Sequence, residues 1–68
     1  MTDSSTEAHR RACEARQWLR NGFITEAKVD ELMQRVATKR GSAAANALRD
    51  EMRQQWKARF TWWKGAPL

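Results

Sequence analysis

Three glycines punctuate this chain, at Gly22, Gly41 and Gly65, and its only proline is Pro67. The segments they delimit hold no strong helix breaker, and the chain has eleven alanines, the best helix former. Nowhere do apolar and polar residues alternate at the period of two that a half-buried strand needs. The pattern predicts an all-α fold, a small three-helix domain with a long, projecting C-terminal helix. The helices are expected over about residues 5–20, 26–40 and 43–64, with 1–4 frayed and 65–68 a tail.

Each helix has its own start and stop signals. Ser4 and Glu7 have the spacing of a capping box. Asn21-Gly22 tolerates the left-handed backbone that ends a helix. Between them Ala8, Ala12, Ala15 and Leu19 fall on one stripe, flanked by Trp18. The second helix has Thr25 as N-cap, with Ile24 and Val29 at hydrophobic-staple positions. Its apolar stripe is Val29, Leu32, Met33 and Val36. Glu26, Asp30 and Glu31 lie near its start and Arg35, Lys39 and Arg40 near its end, which complements the helix dipole.

The third helix is expected to start from Ser42 as N-cap. At about 22 residues it would be ~33 Å long. Ala45, Leu48, Met52, Trp56 and Trp63 share its apolar face, interrupted by Arg59. Residues 43–56 should pack in a three-helix bundle, with Trp56 in the core. A first helix of ~16 residues cannot cover the rest, so residues 57–64 should project, carrying Phe60, Trp62 and Trp63.

Large apolar residues are scarce. Leu, Ile, Val and Phe together number nine of 68, supplemented by four Trp and three Met. One domain is all this length permits, and an isolated domain this small is marginal. A fold needing a large enclosed pocket is ruled out. Cys13 and His9 are the only residues of their types. Four apart on one helix face, they are too few for a zinc site within one chain, and no disulfide can form within it. The widely spaced glycines make no phosphate-binding loop. These features predict a non-enzyme with no cofactor, no metal and no small-molecule substrate. No apolar run approaches the ~20 residues of a membrane span. MTDSSTEAHRR lacks the apolar segment of a secretory signal. A single cysteine fits a reducing cytoplasm.

Charge is segregated. Residues 1–31 carry a net −1 and residues 32–68 a net +6. Arg49, Arg53 and Lys57 follow one another at i,i+4 on the third helix, with Phe60 in the same stripe. Such a face can hold phosphates while aromatics stack on bases. It can equally dock on an acidic, apolar protein surface, where Trp and Arg dominate binding. Adjacent helical positions point about 100° apart, so Trp62 and Trp63 cannot both face one bundle and are expected at an interface. The expected partner surface is therefore Trp62, Trp63, Phe60, Arg49, Arg53 and Lys57. Ala37 and Gly41 also have the spacing of a helix-turn-helix corner, although Arg40 and Asp50 fall where that motif buries apolar residues.

Cys13-Glu14-Ala15-Arg16, Lys39-Arg40-Gly41, Ala44-Ala45, Leu48-Arg49 and Gln55-Trp56 together resemble a pattern in short proteins of tailed bacteriophages and prophages. The similarity covers roughly residues 9–59 and leaves out the TWWKGAPL tail. It implies a phage origin and a bacterial cytoplasm. Small phage accessory proteins often act by binding one host or phage protein. The expected function is thus non-enzymatic binding of a host or phage protein, or of a second copy as a homodimer. The alternative is a nucleic-acid binder using the same basic stripe as a degenerate helix-turn-helix.

Overall fold

The computed structural model describes residues 6–68. Among them there are three long helices, α1 (Glu7–Arg20), α2 (Glu26–Arg40) and α3 (Ser42–Lys57), a one-turn helix α4 (Arg59–Trp62), and no strand. The all-α, three-helix reading holds, and α2 has the bounds that its cap signals predicted.

The caps follow from side-chain chemistry. Thr6, in extended conformation, accepts a hydrogen bond from the backbone N–H of His9 at 3.1 Å and so starts α1. The capping box expected at Ser4 lies outside the described residues. Thr25 caps α2 in the same way, through Lys28 N–H at 3.3 Å. Ser42 is not the cap of α3. It is the first helical residue, and Gly41 holds the cap position without a side-chain bond. Gly41 is the whole connection between α2 and α3. Its φ of 98° and ψ of 160° lie in a region that essentially only glycine enters.

α3 is the central element. It packs along both α1 and α2, whereas no Cα of α1 comes within 8 Å of one in α2. The body is flattened, 35 × 31 × 15 Å, with α1 and α2 both laid against α3. The core is small and lies along α3: Ala15 and Leu19 from α1, Leu32, Met33 and Val36 from α2, Ala45, Leu48 and Met52 from α3. Ala8 is exposed and Ala12 half-buried, so only the second half of α1 has a buried stripe. Trp56 is half-buried and packs against this core rather than within it.

The third helix does not run to Lys64. It breaks at Ala58, and residues beyond the break pack back onto the domain instead of projecting from it. A helix ending at Lys57 leaves its last four carbonyls, from Gln54 to Lys57, without intrahelical donors. Three find other partners. Gln54 O accepts from Ala58 N–H at 3.1 Å. Gln55 O accepts from the Trp62 indole N–H at 3.0 Å. Trp56 O accepts from Arg59 Nη1 at 2.8 Å. Thus side chains of the following turn cap the helix that precedes them. No glycine or proline marks the break, which is why helical periodicity ran straight through it.

Candidate interface at the end of the third helix

The six residues of the expected partner surface divide into two groups. Arg53, Lys57 and Phe60 are exposed. Arg53 keeps 66 % of its side chain in solvent and meets Asp50 only at 3.8 Å. Phe60 is 60 % exposed, with the Arg59 guanidinium 4.5 Å from its ring centroid. Arg53 and Lys57, at i,i+4, share a cationic face of α3, and Phe60 stands exposed on α4 beyond the break.

Arg49, Trp62 and Trp63 are engaged within the fold. Arg49 donates to Asp30 Oδ1 at 2.8 Å, joining α3 to α2. Its inner Nε is buried without a partner. Recruiting Arg49 to an outside anion would strand Asp30 and a partly desolvated guanidinium. Trp62 and Trp63 are both half-buried against the core. Their rings stack, with centroids 5.4 Å apart and planes 18° from parallel. Two rings at adjacent positions face the same body because Trp63 lies past the end of α4, in extended conformation. The 100° rule applies only inside a helix.

The Trp62 ring is also met by α1. Arg16 and Arg20 each place a guanidinium 5.3 Å from its centroid, a favourable position over an aromatic face. Arg16 also donates to Gln55 Oε1 at 2.8 Å. Arg59 holds the far end of the tail by donating to Pro67 O at 2.7 Å, while its guanidinium lies 4.0 Å from the Trp56 centroid. Reading helix by helix missed Arg16, Arg20 and Gln55, because what joins them to Trp62 is tertiary.

Beside this end, an open groove of about 170 Å³ runs between the α1–α2 loop and α3. Leu19, Val29 and Met52 line it together with Phe23, Ile24 and Trp56, and Arg53 and Glu26 also border it. Phe23 meets Trp18 edge to face at 5.1 Å, while Ile24 is 40 % exposed.

The remaining residues singled out in the sequence have structural surroundings. His9 Nε2 and Cys13 Sγ are 3.5 Å apart on an exposed face, and no group of three or more metal-ligating side chains occurs among the described residues. The one-residue corner at Gly41 is shorter than the three- to four-residue turn of a helix-turn-helix. No described helix is long and apolar enough to cross a membrane.

The residues that carried the phage-protein resemblance also find each other in space. Glu14 accepts two hydrogen bonds from Arg40, Arg16 bonds Gln55, and Ala15, Ala45 and Leu48 are core. The pattern is one of helix-to-helix fastening. No curated protein and no solved structure matches the chain. A family model does match residues 2–59, leaving Phe60, Trp62 and Trp63 outside it, and by that match the chain belongs to the family of unknown function DUF7696.

Proposed function

We propose that this chain is a non-enzymatic phage accessory protein of the bacterial cytoplasm, which binds a host or phage protein through the end of its third helix. The observation that carries this reading is the exposure of Arg53, Lys57 and Phe60 around the end of α3, with Arg53 on the rim of an apolar groove. A large aromatic ring left mostly in solvent near exposed cations is available for docking. Cationic groups on its flank favour an acidic partner surface. A protein partner fits better than nucleic acid, because Arg49, one of three cations in the row, is committed to Asp30.

The test is capture from bacterial lysate by the immobilised chain, with and without nuclease, set against Phe60→Ala and the pair Arg53→Glu, Lys57→Glu. A specific protein retained by the wild type, indifferent to nuclease and lost with both variants while their helicity is unchanged, is the expected result. Capture unaffected by the variants overturns the reading. Capture of nucleic acid alone, falling steeply with salt, replaces it with the competing one.

A further inference from the structure

We infer that the segment after Ala58 is an exchangeable arm, and that its second partner is another copy of this chain. The break at Ala58 is not written into the local sequence. Residues 42–64 contain no glycine or proline, and alanine at the break has the highest helix propensity of any residue. What holds the break is side-chain capping, Trp62 on Gln55 O and Arg59 on Trp56 O. A straight helix would satisfy the same two carbonyls with the backbone N–H groups of Arg59 and Phe60. The two conformations therefore exchange one set of hydrogen bonds for another.

Straightening has one large cost. It lifts the stacked Trp62 and Trp63 off the core and away from Arg16 and Arg20. A second copy removes that cost, because it offers the same two arginines and the same core edge. Each arm then fills the partner's cradle, which is the economy of domain swapping. Charge does not oppose the contact at close range, because the arm meets the arginines through ring faces. This exchange goes beyond the proposed protein-binding face, since it uses Trp62 and Trp63 rather than Arg53, Lys57 and Phe60.

The test is sedimentation of the purified full chain from micromolar to millimolar concentration, with three variant arms. Ala58→Gly disfavours the straight helix in both copies and should weaken the dimer roughly 30-fold while leaving the monomer folded. Arg16→Ala, Arg20→Ala keeps the arm and loses the cradle. Trp62→Ala, Trp63→Ala keeps the cradle and loses the arm. Neither double variant should dimerise alone, and mixing the two should restore association. A wild type that stays monomeric throughout overturns the exchange, as does a dimer insensitive to Ala58→Gly or to loss of the arm. Either result leaves capture of a different protein through Phe60 standing, because that readout uses the monomer's exposed face.

Discussion

Glu14 and Arg40 join the middle of the first helix to the last residue of the second in a two-pronged ion pair, with Nη1–Oε1 at 3.0 Å and Nη2–Oε2 at 2.7 Å. Trp18 Nε1 donates to the same carboxylate at 3.3 Å. Since no Cα of α1 comes near one of α2, this pair bridges two helices that otherwise meet only through the core beside α3. The Arg40 hydrogen bond holds the Glu14 carboxyl below its usual value near 4.5, against burial, which pushes it up. The Arg40 guanidinium is correspondingly raised, by the same bond.

The pair should therefore stabilise the fold at neutral pH and cease to do so in acid. A carboxyl with a depressed folded value contributes fully above its unfolded pKa, and loses that contribution as pH falls through the folded one. Both groups retain solvent contact, with side chains 51 % and 30 % exposed for Arg40 and Glu14, so the effect should be about 1 kcal/mol or less. Urea midpoints of wild type and Glu14→Gln should differ at pH 7 and converge below the ordinary glutamate range. A gap that widens in acid would contradict this account.

Gly41 offers a cleaner measurement of backbone strain. A Cβ at this position would meet nothing within 4 Å, so Gly41→Ala adds no clash. The loss should come from φ alone, about 1–3 kcal/mol. D-alanine, introduced by chemical synthesis, matches the sign of φ and should restore most of the stability. Equal losses for both enantiomers would mean that the corner is held by something other than backbone conformation.

At Trp62, packing and capping can be separated. Trp62→Phe keeps an aromatic face for Arg16 and Arg20 but removes the bond to Gln55 O. It should cost about 1 kcal/mol. Trp62→Ala removes the ring as well and should cost about 2–3 kcal/mol, less than a fully buried aromatic because part of the residue already meets water. Chemical denaturation of the two variants checks the order. Equal effects would assign the whole role to the indole N–H.

Arg49 and Asp30 should respond unequally. Asp30→Ala leaves a guanidinium whose inner nitrogen is already buried without a partner, and should destabilise by about 1–2 kcal/mol. Arg49→Met keeps the buried stem and removes the charge, so it should be near neutral. The same Arg49→Met protein should still capture its partner. Loss of capture with unchanged stability would return Arg49 to the binding face.

Local chemistry determined most of the helical framework. Thr25, Gly41 and the Val29–Val36 stripe fixed α2, while the alanine stripe of α1 marked the inward side only in its second half, at Ala15 and Leu19. Caps and stripes are readable because they depend on residues a few positions apart. The sequence also placed Arg53 and Lys57 side by side, since i,i+4 neighbours share a face of α3.

Tertiary structure decided where that helix ends and what its tryptophans do. Ala58 breaks α3 only because Trp62 and Arg59 find the carbonyls of Gln55 and Trp56, while Arg16 and Arg20 of another helix close over the Trp62 ring. The two caps are local, but the Arg16 and Arg20 contacts span more than forty residues, where periodicity carries no information. The same is true of Arg49, which reads as a free cation on a helical wheel and becomes a fastening to Asp30 once α2 lies beside it. With so few large apolar residues, the fold draws its tryptophans back onto a small core, and that demand overrides the helical propensity of the segment carrying them.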